Sequence, residues 1–118
     1  MSQEIGFAAE AHTRRYLHQQ GLQWITSNYR CRFGEIDLIM RDEEYLVFIE
    51  VRARSGNAFG GAAASVTYSK KQKIIKTASF YLAANKLQDK QAVRFDLVSL
   101  EGMPAKLTWI KNAFGLDF

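Results

Sequence analysis

Apolar and polar positions recur along this chain with two different periods. Residues 3 to 20 carry Ile5, Ala8, Ala9, His12 and Tyr16 at three- and four-residue spacing. That spacing predicts a helix with one buried stripe, and Gly21 stops it. His12 falls on the stripe and is expected to be packed rather than catalytic. Residues 22 to 30, with Trp24, Ile25 and Tyr29, read as a strand. From 34 to 41 the period is two: Ile36, Leu38 and Met40 point one way, and Glu35, Asp37 and Ile39 the other. Asp42-Glu43-Glu44 is a turn. Residues 45 to 54 give the strongest strand signal, with Val47, Ile49 and Val51 on one side and Leu46, Phe48, Glu50 and Arg52 on the other. The last two strands most simply pair as an antiparallel hairpin.

Residues 55 to 66 are rich in Gly, Ala and Ser and read as a loop. A second helix is expected over 69 to 87, with Ser69 and Gln72 fitting a capping box and Ile74, Ile75, Ala78, Tyr81 and Leu82 buried. Residues 91 to 100 and 105 to 111 read as two further strands. The order αβββαββ predicts an α/β (α+β) fold with a mixed central sheet flanked by helices. Trp24, Trp109 and the phenylalanines are expected in the core.

The chain has 118 residues, which suits a single domain over 1–118. At 47% hydrophobic it can bury a core. One cysteine, Cys31, excludes an intrachain disulfide framework and a Cys-rich zinc site. Met1 to Gly6 has neither a basic nor an apolar signal region, and no apolar run approaches the ~18 residues of a membrane span. A cytoplasmic setting is therefore the expectation. The net charge of +4 is unevenly divided. Through Arg54 the balance is −1, and from Ser55 onward it is +5, with every lysine in the second part. The first part holds most of the carboxylates.

Two of those carboxylates sit where burial is expected. Glu50 lies in a run of large apolar residues, and Asp37 lies between Ile36 and Leu38. Burying either unpaired is costly. If their strands pair, both lie on one face, where like charges repel. A divalent metal would offset them, and hard oxygen ligands suit Mg2+ or Mn2+. Arg52, two residues from Glu50, is the other candidate, in a buried ion network without catalysis. Spacing alone leaves both open.

Asp37 followed after a hairpin by Glu50-Val51-Arg52 resembles the core of the PD-(D/E)xK nuclease superfamily. The surroundings are more specific. Asn28-Tyr29-Arg30, Gly34-Glu35-Ile36-Asp37-Leu38-Ile39, Val47 to Arg54, Phe59-Gly60, Val66, Lys70 and Arg94-Phe95-Asp96 resemble the YraN-like family, over about residues 6 to 99. This is a bacterial family similar in expected fold to archaeal Holliday-junction resolvases. The resemblance implies a restriction-endonuclease-like core, with Asp37 and Glu50 as metal ligands and catalytic residues. It also implies a further acidic ligand from the first helix, Glu10, which shares a flank with Gly6 and Leu17. On spacing alone Glu10 reads as a solvated helix carboxylate. Ala9 stands where the family usually has glycine. Glu35 shares the face of Asp37 on strict alternation, as a further ligand or a solvated strand residue.

Arg52 departs from the superfamily pattern, which has lysine two residues after the second acid. A guanidinium stays protonated throughout the range in which proteins fold, so it cannot be a general base. It can orient water or stabilise a phosphate electrostatically.

Lys70, Lys71, Lys73 and Lys76 crowd the start of the second helix, where positive charge opposes the helix dipole. With the free N–H groups there, they form a candidate phosphate-binding end, or else a solvated lysine face. Arg30, Arg32 and Arg54 are candidate backbone contacts. Ser55 to Gly61 is a candidate flap; it is not a P-loop, because Ala62 and Ala63 replace the required Lys and Ser/Thr.

The sequence thus supports a metal-dependent endonuclease-like protein acting on DNA, branched or structured DNA included. Junction cleavage needs two sites, so a homodimer follows by analogy. The alternatives are a nucleic-acid-binding module of the same fold with little or no catalysis, and a protein-interaction adaptor using the basic face.

Overall fold

Seven elements follow one another in the order αβββαββ: α1 (Gln3–Gln19), β1 (Gln23–Cys31), β2 (Gly34–Asp42), β3 (Tyr45–Arg54), α2 (Tyr68–Ala84), β4 (Ala92–Glu101) and β5 (Lys106–Phe114). They are seen in a computed structural model that describes residues 3–54, 66–87 and 89–115. The Ser55–Gly61 flap, and the side chains of Ile5 and Arg54, lie outside the described residues.

The strands form one mixed sheet in the order β1-β2-β3-β4-β5. The β1–β2, β2–β3 and β4–β5 pairs are antiparallel. The central pair β3–β4 is parallel, so the chain must cross over between them, and α2 lies in that crossover. Aromatic stacking across three strands supports this register: Phe48 lies opposite Phe95, and Phe95 opposite Phe114. Their ring centroids are 5.5 and 5.3 Å apart. This is the α+β arrangement expected from the pattern, and it is consistent with the restriction-endonuclease-like core that the resemblance implies.

Each helix covers one face. On the α1 face, Ala9, Leu17 and Leu22 pack with Leu38, Met40, Val47, Ile49, Val51, Val98 and Leu100. On the α2 face, Ile74, Ile75 and Ala78 pack with Ile36, Ile39, Leu46, Phe48, Phe95 and Phe114. The buried line of α1 is Ala9, Thr13 and Leu17, four residues apart, with Tyr16 half-buried beside it. The expected stripe was rotated: Ala8 and His12 are exposed. Small Ala9 and Thr13 let the helix approach the sheet, and Leu17 anchors it; His12 has no such fit.

Two irregularities break the simple alternation. In β1 the register slips between Trp24 and Thr26, so Ile25 packs on the α2 face. Trp24 is 43% exposed, not core. Phe7, Phe33 and Phe80 are exposed as well. In β2, Leu38 and Met40 lie on the α1 face but Ile36 lies on the α2 face, against the expected alternation. The break falls at Asp37, opposite Asn28, whose backbone is left-handed at φ 54°. Helix α2 is capped by Thr67, whose hydroxyl accepts the Lys70 N–H at 3.1 Å. The Ser69–Gln72 box therefore does not form: the helix already begins at Tyr68.

Arg94 and Asp96 are the second polar feature of the core. Fully buried Asp96 accepts from Arg94 Nε at 2.9 Å and from Arg94 Nη2 at 3.0 Å. It also accepts from Trp109 Nε1 and from the Asn112 N–H, each at 2.9 Å. Asn112 sits at a slip in the β4–β5 register with φ 53°, so the carboxylate also holds that bulge. Arg94 in turn reaches Asp42 at 3.0 Å. Replacing Asp96 by Ala leaves the Trp109 and Asn112 N–H donors unpaired and Arg94 with Asp42 alone, and should cost about 3–5 kcal/mol in chemical denaturation. Conversely, the buried Thr13 hydroxyl has no hydrogen-bond partner among the described residues. Thr13→Val should stabilise by about 1 kcal/mol, raising the melting temperature by about 4 °C.

Candidate functional site

The β2–β3 ladder runs from Asp42 opposite Tyr45 to Leu38 opposite Ile49. Asp37 and Glu50 would be the next pair. There the backbone bonding is replaced by side-chain bonding. Asp37 Oδ2 accepts the Val51 N–H at 2.8 Å. The two carboxyls hydrogen-bond each other, with Glu50 donating to Asp37. The β2–β3 ladder thus ends at a pair of neighbouring acids.

Helix α2 delivers the counter-charge. Lys70 Nζ lies 3.4 Å from Glu50 Oε2, and Arg52 lies 3.6 Å from the same oxygen. The helix can come this close because β2 begins with a glycine. A Cβ on Gly34 (φ 152°) would stand 3.3 Å from Thr77 Oγ1 and 3.6 Å from Lys73 Cβ. The four lysines opposing the helix dipole are partly explained by this contact, since Lys70 answers Glu50.

Burial pushes the Glu50 carboxyl up to about 8, and the neighbouring Asp37 charge and their hydrogen bond add to the rise; Lys70 and Arg52 oppose it. Burial raises Asp37 too, offset by the hydrogen bonds from Glu50 and Val51. Glu10, on α1, is raised mainly by burial. Its Oε2 accepts from Asn28 Nδ2 at 3.0 Å, and the negative charges of Asp37 and Glu35 act on it.

The uncharacterised protein family UPF0102 matches residues 9–100 of this sequence. A UPF0102 protein of Legionella pneumophila (strain Corby) is 55% identical over 114 residues, 97% of each chain. One from Coxiella burnetii (strain RSA 331 / Henzerling II) is 48% identical over 118 residues, covering 100% of this chain and 98% of the relative. One from Nitrosomonas europaea is 48% identical over 110 residues, 92% of each chain. The chain belongs to the UPF0102 family. This is the YraN-like bacterial family that the motifs resemble.

Within this UPF0102 chain the expected site residues separate into two groups. Asp37, Glu50, Arg52 and Lys70 come together. Glu10 is held by Asn28 beside them, in electrostatic reach of Asp37. Among the described residues no three His, Cys, Asp or Glu side chains converge closely enough to hold a metal as they stand. Glu35 pairs with Arg30 at 2.6 Å, which makes that arginine an ion-pair partner at the hairpin end. Lys71 lies 5.9 Å from the Phe114 ring, and Lys73 is exposed beside Gly34. Arg94 and Asp96 lie on the other face of the sheet, bonded to Trp109, which packs on the α1 cluster. No helix among the described residues is long and apolar enough to cross a membrane.

Lys70 was expected as a phosphate contact, and its place on Glu50 was not foreseen. The sequence signals were a lysine placed against the dipole at the start of a helix following Glu50, and its place among the family-like positions.

The raised Glu50 value has a definite sign. The folded state keeps a proton that the unfolded chain releases near the ordinary 4.5. The stabilising contribution is therefore full below about pH 4.5 and is lost as the pH rises through about 8. Asp37, also raised, acts in the same direction. In EDTA the melting temperature should fall between pH 5.5 and 8.5, and Glu50→Gln should flatten that fall.

Proposed function

We infer that this chain is a metal-dependent endonuclease-like protein acting on DNA, branched or structured DNA included. One observation carries the reading: buried Glu50 and half-buried Asp37 sit side by side where the β2–β3 ladder ends, with two cations against Glu50.

The donor set fits a divalent cation. Both groups offer hard oxygens, as Mg2+ or Mn2+ prefers. A cation can take over from the Glu50 proton the task of screening two like charges. Asp37 and Glu50 would hold it, with Glu10 supporting from α1. When bound, such an ion activates water and draws charge from a phosphoryl oxygen. Its binding should displace the Glu50 proton, so titration with Mg2+ near pH 7 should release protons and Glu50→Gln should abolish that release.

The protein's own groups then have distinct tasks. The Val51 N–H fixes Asp37. Arg52 stays cationic throughout and suits an anionic phosphate oxygen. Lys70 supplies the lysine that position 52 lacks, from a helix instead of the strand. The same Glu50–Lys70–Arg52 contacts also suit a binding module that holds phosphate without cutting it, because they partly neutralise Glu50 without a metal. A second copy of the chain would supply the second site that a junction requires.

Purified protein incubated with labelled linear, flapped and four-way-junction DNA in Mg2+, Mn2+ or EDTA distinguishes these. Cleavage should require metal and disappear in Asp37→Asn. Lys70→Ala should lower it by about 10²–10³-fold. Arg52→Lys, which keeps the cation, should change it by only a few-fold. Cleavage persisting in Asp37→Asn would remove the site from the reaction. Salt-sensitive binding without cleavage under every condition would establish the binding module instead.

A further inference from the structure

The carboxylate site leaves one surface feature unused. Arg14, Arg15, His18 and Gln19 of α1 and Gln23 and Trp24 of β1 line an open groove of about 420 Å³. Its lining includes an exposed aromatic ring. Trp24 is 43% exposed, with the Arg14 guanidinium carbon 3.8 Å from the ring centroid. The indole N–H donates to Ser27 Oγ at 2.9 Å, which holds the ring in place. No acid is among the six lining residues.

These groups match one ligand chemistry. A fixed indole with a stacked guanidinium offers a flat surface to a planar base. Arg14 and Arg15 supply charge for phosphates, and Gln19 and Gln23 offer amide donors and acceptors to a base edge. An acidic peptide would use the arginines but would have little need of the ring.

The location is informative too. Arg14 is one turn, about 6 Å along the helix, beyond Glu10. Trp24 is four residues before Asn28 on β1, and Asn28 is the residue that holds Glu10. The groove and the Glu10–Asn28 contact therefore lie along the same seam between α1 and β1, and the seam leads from Asp37 to the groove.

We propose that the α1–β1 groove binds single-stranded nucleic acid, with an unpaired base stacked on the Trp24–Arg14 pair and adjoining phosphates on Arg14 and Arg15. The ligand class rests on the nucleic-acid reading above, but binding here does not require the chemistry at Asp37 and Glu50. A strand entering along this seam would have to be unpaired, as at a flap, gap or junction. That gives the preference for structured DNA a physical source outside the carboxylate site.

Fluorescence anisotropy with a labelled oligothymidylate, in EDTA so that no cleavage intervenes, tests this. The full chain should bind the single strand more tightly than a blunt duplex of equal length. Trp24→Ala should weaken that binding about tenfold, and Trp24→Phe, which keeps a stacking ring, should restore most of it. Arg15→Gln should weaken it and flatten the salt dependence by about 0.7 in logarithmic slope. Thermal melting of each variant establishes that it is folded. Absence of single-strand binding at low salt, equal affinity in folded Trp24→Ala, or equal competition by polyglutamate would each overturn the groove. Metal-dependent cleavage is scored separately. Its absence with Trp24-dependent binding retained counts against the nuclease reading alone, and cleavage with Trp24-independent binding counts against the groove alone.

Discussion

The bond from the Val51 N–H to Asp37 Oδ2 marks where the β2–β3 ladder stops and the site begins. Up to Leu38 and Ile49 the strands satisfy each other through their backbones. One residue further, a side chain takes over a backbone donor. A buried N–H must be paired, so Asp37 cannot be exchanged for an apolar residue without leaving that donor exposed to the same demand. The carboxylate is thereby fixed, Glu50 is brought into hydrogen-bonding contact with it, and their mutual repulsion calls for a proton or a cation. The approach of Lys70, the close passage of α2 over Gly34 and the raised Glu50 value are all tied to that geometry.

Much of the fold was legible because it depends on short-range pattern. The period-two runs before and after Asp42-Glu43-Glu44 fall close to the ends of β2 and β3, and the hairpin between them forms as expected. The nearness of Asp37 and Glu50 followed from that hairpin alone. What was not legible depends on contacts distant in sequence or on backbone conformations that no periodicity encodes. The face of α1 was misjudged because Ile5–Ala9–His12–Tyr16 and Ala9–Thr13–Leu17 are neighbouring lines on one helix, and only the sheet decides between them. The placement of Ile36 failed because left-handed Asn28, across the sheet, disrupts the alternation at Asp37. Trp24 looked like core because a large aromatic in a strand usually is; the slip at Ile25 sends the other residue inward.

Lys70 and Arg52 show a related limit. Residues two apart on a strand share a face, so Arg52 was an obvious partner for Glu50. Lys70 is twenty residues from Glu50 and reaches it only because the parallel β3–β4 pair requires a crossover, whose helix starts at that end of the sheet. A motif read along one strand therefore reports half of the cationic environment. The rest is set by topology.

Glu50 and Asp96 lie almost back to back. Ile49, beside Glu50, is opposite Asp96 across the central parallel pair, yet the two carboxyls face different helices. The backbone layer between them works as insulation. Asp96, with four donors in place, is a permanent fastening for the β5 edge. Glu50 has Asp37 beside it, two cations at the outer limit of contact, and a carboxyl that burial pushes up to about 8. Because the sheet keeps the two circuits apart, charge at one face can be exchanged while the other continues to hold the molecule together.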